Sequence, residues 1–333
     1  MFPEKMKAAW IPRFGGAEVL EIREVDRPVP SPDSVLVRVR AAGLNRADLL
    51  QRQGKYPPPA GYPAEMPGIE FAGEVAETGA QVRSWKKGQR VFGLTGGAAH
   101  AEYLAIHERL IAEIPPSLDW KQAAAVPEVF IAAHDALWQQ AALSRGETVL
   151  VNAVGSGVGI AAIQLARAMN ARAFGTSRTP DKIEKAQEYG LADGIVLRDN
   201  LDELAAAAER WTGGKGFDVF LDLVGGNYPN TVQKLMALKG RMIFIGTMAG
   251  SRYELDARYL MSKRLCLRGT VLRSRTLEEK IAVTQSFARE VLPVLANGTL
   301  RPVLDSVFSL DEIVKAHERL ESNQTFGKVV IEI

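Results

Sequence analysis

Two rhythms of apolar residues divide this chain. In residues 5–110 apolar positions alternate with others, as a half-buried strand requires. Val35, Val37 and Val39 face one way, and Leu36, Arg38 and Arg40 the other. Residues 19–25 read similarly. Breakers cut the stretch short: Pro28, Pro30, Pro32, Pro57, Pro58, Pro59, Pro63, Pro67, Gly93, Gly96 and Gly97. Short strands between such breakers predict a barrel-like or sandwich-like domain. Residues 45–53 read as a short helix, ended by Gly54, with a proline loop after it.

From about Ser117 the rhythm changes. Residues 119–140 are Ala-rich and predict helix, broken at Pro127. Strand-like runs at 149–154, 171–176, 194–197, 218–223, 241–245 and 266–272 follow. Helical patterns at 157–169, 180–189, 201–211 and 229–238 fall between them, Pro180 suiting a first turn. This alternation predicts a doubly wound parallel sheet with helices on both faces. Residues 276–296 predict one long amphipathic helix. Strands at 303–308 and 328–333 flank a helix at 310–322. They do not extend the βα series and are assigned to the first domain. The expected domains are therefore 1–127 with 273–333, and 128–272.

The first βα unit carries a glycine turn, Gly155-Ser156-Gly157-Val158-Gly159. A turn that opens a helix points orphan N–H groups and the helix dipole at an anion, which suits a dinucleotide pyrophosphate. The strict G-x-G-x-x-G spacing is not met, because Ile160 stands where the third glycine belongs. The strand before and the helix after make dinucleotide binding the expectation. An acidic residue closing the second strand would select NAD. Here that strand ends Thr176-Ser177-Arg178, with Lys182 a turn further. Hydroxyls and two cations suit a 2′-phosphate, so NADPH is the expected cofactor. The bland alternative is that Arg178 and Lys182 are solvated charges at a helix start, and Asp181 between them weakens the case.

Composition narrows this. With 333 residues, 47% hydrophobic and 24% charged, the chain is an ordinary globular protein of two-domain size. A net charge of +2 offers no reason to expect nucleic acid or a membrane surface. MFPEKMKAAW has no apolar signal-peptide core, and a lone cysteine, Cys266, permits no intramolecular disulfide. A cytoplasmic protein is expected. His100, His107, His134 and His317 read as surface or pocket-edge residues without ligand spacing, so no metal is expected. Cys266 reads as a core residue. The acceptor site is expected to face the carboxyl ends of the parallel strands. Asn45, Arg46, Asp48 and Tyr56 are the residues of the first domain with usable chemistry. From position alone, Tyr56 is a ring-stacking or proton-donating group, or else a loop-packing one.

These residues bring a family into view. Leu44-Asn45-Arg46-Ala47-Asp48-Leu49, the block from Gln51 to Tyr56, Pro67–Gly73, Lys87-Gly88-Gln89-Arg90-Val91, Asn152–Gly159 and Gly327-Lys328-Val329-Val330 resemble the medium-chain dehydrogenases/reductases. They are similar to the zinc-free, zeta-crystallin-like quinone oxidoreductases across nearly the whole chain. With Ser156 and Val271-Leu272-Arg273-Ser274-Arg275, the 45–59 block resembles the stress-inducible NADPH quinone oxidoreductase branch. The resemblance implies a GroES-like β-rich catalytic domain beside a Rossmann domain. Zinc-dependent relatives have Cys and His where this chain has Asn45 and Ile69, and their third ligand falls near Glu128.

The resemblance also implies roles. Ser156, Gly157, Val158 and Gly159 would hold the pyrophosphate, Ser177, Arg178 and Lys182 would lie on the 2′-phosphate side, and Thr176 is a further cofactor-binding candidate. Val224, Gly246, Thr247, Val271 and Leu272 would line the adenosine and nicotinamide. Some relatives have a tyrosine where this chain has Leu197 or Arg198. Hydride would pass from nicotinamide C4 to a quinone without metal, or to the C=C bond of an enone or alkenal. Asn45 would bond the acceptor oxygen or the cofactor ribose, and Tyr56 would stack on the ring or donate a proton. A structural or nucleic-acid-associated NADPH-binding protein is the non-enzymatic alternative. A homodimer or homotetramer is expected.

Overall fold

A computed structural model describes residues 4–197 and 201–333. They form two compact units. One runs up to Ile131 and resumes at Leu272–Ile333, and the other is Ala132–Val271.

The first unit opens with an antiparallel hairpin of β1 (Lys5–Trp10) and β2 (Glu21–Asp26). The long strand β3 (Ser34–Leu44) leads into helix α1 (Arg46–Arg52). A proline-punctuated loop then reaches β4 (Glu70–Thr78), β5 (Arg90–Leu94), β6 (Tyr103–His107) and β7 (Ile111–Glu113). Alternation places Val35, Val37 and Val39 in a core with Phe71, Val91 and Ile111. Helices α2 (Trp120–Ala124) and α3 (Pro127–His134) follow, separated by the Ala125–Val126 break.

The second unit is a six-stranded, wholly parallel sheet. Its strands are β8 (Thr148–Val151), β9 (Arg172–Ser177), β10 (Leu191–Val196), β11 (Phe217–Asp222), β12 (Met236–Phe244) and β13 (Cys266–Gly269). Their order is β10-β9-β8-β11-β12-β13, so the winding reverses between β8 and β11. Helices α4 (Gly157–Ala168), α5 (Pro180–Glu188), α6 (Asp202–Thr212), α7 (Tyr228–Val232) and α8 (Ala257–Lys263) make the connections. The core stacks Phe174 on Trp211 at 5.1 Å between ring centres, with Phe217 and Phe220 alongside.

The chain then returns to the first unit through α9 (Leu277–Glu290) and α10 (Leu292–Ala296). Pro293, without an N–H, breaks the single long helix expected at 276–296. Strand β14 (Leu304–Ser309), helix α11 (Ile313–Glu321) and strand β15 (Lys328–Glu332) end the chain. The seven-stranded sheet runs β14-β15-β3-β4-β5-β7, with β6 also paired to β3. The final strands therefore pair into the sheet of the first unit, β15 lying against β3.

The helix expected at 229–238 is corrected. It stops at Val232 and a short 3₁₀ turn, and β12 begins at Met236. Met236 pairs with Phe217 of β11 and is 1% exposed, so sheet pairing overrides a local pattern of good helix formers. Four single-residue expectations also fail. Cys266 is exposed on β13, the last strand of its sheet. His100, His134 and His317 are buried rather than superficial.

Candidate active site

The glycine turn sits where β8 ends and α4 begins. Ser156 caps the helix: its Oγ accepts from Gly159 N at 3.1 Å and donates to Ala153 O at 2.8 Å. A Cβ on Gly159 would lie 2.5 Å from Ala153 O, and one on Gly175 of β9 would lie 2.1 Å from Val154 Cγ1. These glycines let helix and strand close on the turn, and the missing third glycine does not prevent it. Lys182 lies across Gly155, its Cδ 2.8 Å from where a Cβ would stand. Arg178 is exposed just past the end of β9. Ser177 Oγ accepts from Thr179 N at 3.3 Å, and Thr176 Oγ1 meets the Tyr228 hydroxyl at 3.1 Å. Thus Ser156 to Gly159, Thr176, Ser177, Arg178 and Lys182 gather at one edge of the second unit.

The winding reversal has its own polar lock. Asn152 Nδ2 donates to Asp222 Oδ1 at 2.6 Å, and Asn152 Oδ1 accepts from Leu223 N at 2.6 Å. Asp222 Oδ1 also takes the N–H groups of Val224 and Gly225. Asp222 Oδ2 is buried with no hydrogen-bond partner among the described residues. Burial pushes its carboxyl above the usual aspartate range. An orphan acceptor at the switch point of a parallel sheet fits a hydroxyl-bearing ligand such as a dinucleotide. Ile245 and Gly246 donate to Asp222 O, which sets Gly246 and Thr247 beside Val224. Val271 is exposed at the end of this unit. Leu197 is 2% exposed in the core with Phe174, which removes it as an adenosine contact, and Arg198 lies outside the described residues.

The first unit places Asn45 and Tyr56 in different surroundings. Asn45 is spent in a buried network. Its Nδ2 donates to Glu70 Oε1 at 2.8 Å, and its Oδ1 accepts from Lys328 Nζ at 2.6 Å. Lys328 Nζ also donates to Leu44 O at 2.8 Å and pairs with Glu70 Oε1 at 2.6 Å. Glu70 Oε2 accepts from Glu128 N at 2.8 Å. Tyr56 is half-buried, with the Arg273 guanidinium 5.0 Å from its ring centre. Arg273 pins the loop by donating to Gly96 O at 2.9 Å, to Tyr56 O at 3.2 Å, and to Gln51 Oε1. Burial pushes the Tyr56 phenol up.

A cavity opens in this unit. Tyr62, Thr95, Glu128, Arg273 and Lys280 give it polar atoms, and Ile69 and Leu272 belong to its apolar wall. The Glu128 carboxyl is pushed up to about 7, by burial first and by Glu70 second. Sequence reasoning assigned no role to Glu70, Glu128, Arg273, Lys328, Asn152 or Asp222. One available signal was Glu128 itself, a lone acid inside the apolar run Ala123–Ala133.

Comparison with known proteins now decides the family. Residues 31–116 match the alcohol dehydrogenase GroES-like domain, and residues 157–287 match the family described as zinc-binding dehydrogenase. The quinone oxidoreductase of Lama guanicoe is 32% identical over 331 residues, covering 98% of this chain and 97% of that one. This chain belongs to the quinone oxidoreductases of the medium-chain dehydrogenase/reductase family. It is a nicotinamide-dependent oxidoreductase. The solved quinone oxidoreductase of Pseudomonas syringae pv. Tomato DC3000 has a TM-score of 0.86 at 28% identity, covering 98% of this chain and 100% of that chain. A mycobacterial protein solved with NADPH has a TM-score of 0.89 at 24% identity, over 98% of this chain and 100% of that one, and shows the fold alone.

The zinc of the second family description does not fit these residues. No group of three or more His, Cys, Asp or Glu able to hold a metal occurs among the described residues. At the positions the resemblance points to, the Asn45 amide is engaged on both atoms and Ile69 has no donor atom. The Lys328 ammonium also sits against the carboxylate of Glu70 and would repel a cation there. Among the described residues no helix is long and apolar enough to cross a membrane.

Proposed function

We propose that this protein is an NADPH-dependent quinone reductase working without metal. The observation that carries the reading is full-length similarity to proteins named quinone oxidoreductase. The residues of the second unit support the cofactor. Bound NADPH supplies the hydride. Ser156, Gly157, Val158 and Gly159 would receive the pyrophosphate at the helix start, and Ser177, Arg178 and Lys182 would take the 2′-phosphate. Thr176, Val224, Gly246, Thr247, Val271 and Leu272 complete the proposed cofactor contacts. The described residues that close β9, Thr176-Ser177-Arg178, include no acid, which favours NADPH over NADH.

The acceptor is assigned to the cavity of the first unit. Its apolar wall suits a flat ring, and Arg273 holds the Tyr56 loop in place beside it. Asn45 acts here as a positioning residue, because both atoms of its amide are engaged. A quinone carries its own electron-accepting carbonyls, so a site without a Lewis acid suffices. An edge strand at β13 with Met261 70% exposed nearby favours a homodimer or homotetramer. A cytoplasmic setting fits the single, exposed cysteine.

The test is NADPH consumption with a series of quinones, enones, alkenals and alcohols. The expected result is fastest turnover with quinones. Faster turnover with enones or alkenals would reassign the activity to double-bond reduction, and NADPH binding without turnover on any acceptor would remove the enzymatic reading.

A further inference from the structure

The first unit gathers several charged groups near its cavity, and one of them has no ion-pair partner among the described residues. Glu70 of β4 is matched by Lys328 of β15 at 2.6 Å. Asp48 of α1 accepts from the N–H groups of Asn45 and Gly68 at 2.8 and 2.9 Å. Arg273 is committed to Gln51, Tyr56 and Gly96. Glu128, on the first turn of α3, faces the cavity, and its carboxyl has no hydrogen bond among the described residues. Its own backbone N–H is held by Glu70, which keeps a second carboxylate close. Burial beside a carboxylate that already owns its cation is the arrangement that keeps a proton on an acid.

We infer that Glu128 is the proton donor that completes reduction of the acceptor in this cavity. The inference rests on the quinone-reductase reading above. Bound NADPH would supply a hydride and with it the two electrons; the hydride would form an O–H bond at one carbonyl oxygen of the quinone and leave negative charge on the other. The O–H bond of Glu128 then breaks, its proton forms an O–H bond on that oxygen, and the neutral hydroquinone leaves. Water returns a proton to the carboxylate. Lys280 of α9 lines the same cavity and its ammonium makes no hydrogen bond among the described residues, so its charge favours the oxyanion before protonation.

The groups that set the proton affinity of Glu128 come from every side. Glu70 and Asp48 raise it, and Lys328 and Arg273 lower it. Tyr56 couples to Glu128, Tyr62 and Lys280 share the cavity, and His100 is buried beside Glu70 and Lys328. A donor must be protonated to act. Wild-type turnover with a saturating quinone should therefore fall as pH rises through about 7.

The experiment compares wild type, Glu128→Gln and Tyr56→Phe with 1,4-benzoquinone and NADPH. Infrared spectra of the unliganded proteins across the same pH range supply a readout that does not depend on turnover. Expected is a protonated-carboxyl band in wild type that disappears as pH rises through about 7 and is absent from Glu128→Gln. Glu128→Gln should turn over roughly 10-fold or more slower at acid pH, with no pH dependence in this range and no solvent deuterium isotope effect. Tyr56→Phe should keep both. If Glu128→Gln does not fold, Glu128→Asp keeps the carboxyl but draws it back, and should retain the pH profile at a lower rate. Wild-type rate and pH profile in Glu128→Gln would overturn the inference, as would absence of the band. If wild type reduces no quinone although the band titrates, the quinone reading falls and takes the donor role with it.

Discussion

Lys328→Met removes the cation on which the buried network of the first unit depends. Lys328 is 4% exposed and Glu70 is fully buried. The ammonium spends its protons on Leu44 O at 2.8 Å, Asn45 Oδ1 at 2.6 Å and Glu70 Oε1 at 2.6 Å. Methionine matches the stem but supplies no donor. It leaves a carboxylate in the core with only the Asn45 amide and the Glu128 N–H against it. Removing one partner of a buried pair costs about 3–5 kcal/mol. Relaxation is hindered, because a Cβ at Gly43 would already lie 2.2 Å from Glu70 Oε1 and so the carboxylate has backbone against it. The assay is urea denaturation of wild type, Lys328→Met, Glu70→Gln and the double variant. In the double variant the stranded charge is gone, so it should recover about 1–3 kcal/mol relative to the sum of the single losses. A loss below about 1 kcal/mol in Lys328→Met, typical of a surface pair, would refute the reasoning. Strict additivity in the double variant would do the same.

Two other outcomes follow from the geometry. Arg178→Ala with Lys182→Ala should raise the KM for NADPH by roughly 10–100-fold, the value of lost charge-assisted hydrogen bonds, and leave NADH nearly unchanged; equal effects on both cofactors would dissociate these residues from the 2′-phosphate. His100 and His317 meet edge-on with 6.5 Å between ring centres, and Arg52 Nη1 lies 3.2 Å from His317 Nδ1. Burial lowers both pKa values from 6.5, that of His317 well below it. The unfolded chain therefore binds more protons below 6.5, so stability is fully present above that pH and is lost as pH falls through it. Denaturation midpoints across this range should show the fall, and His317→Asn should flatten it. A midpoint independent of pH would contradict the buried pair.

The elements were legible where one local rule decided them. The alternation of Val35, Val37 and Val39 gave β3, and Pro180 marked the start of α5. The glycine turn between β8 and α4 was legible because Ser156 and the glycines act within a few residues of one another. Pairings between distant segments were not. Residues 236–238 carry a helical pattern, yet the pairing of Met236 with Phe217 of β11 starts a strand there. Cys266 looks like a core residue in its own segment, but among the described residues β13 is an edge strand and Cys266 is exposed on it. The site shows the same limit. Asn45 stood out by motif, but its engagement depends on Lys328, which lies 283 residues further along the chain. Arg273 and Tyr56 are 217 residues apart, and no spacing in the sequence links them. Buried histidines escaped because a periodic pattern ranks histidine as polar, whereas packing takes its neutral form readily.

Protein dialysed against a strong chelator is given a quinone with NADPH and, separately, with NADH, and kcat/KM is measured for each cofactor. The account predicts full activity after chelation and a kcat/KM for NADPH roughly 10-fold or more above that for NADH. Activity lost on chelation and restored by zinc, or equal kcat/KM for the two cofactors, would contradict it.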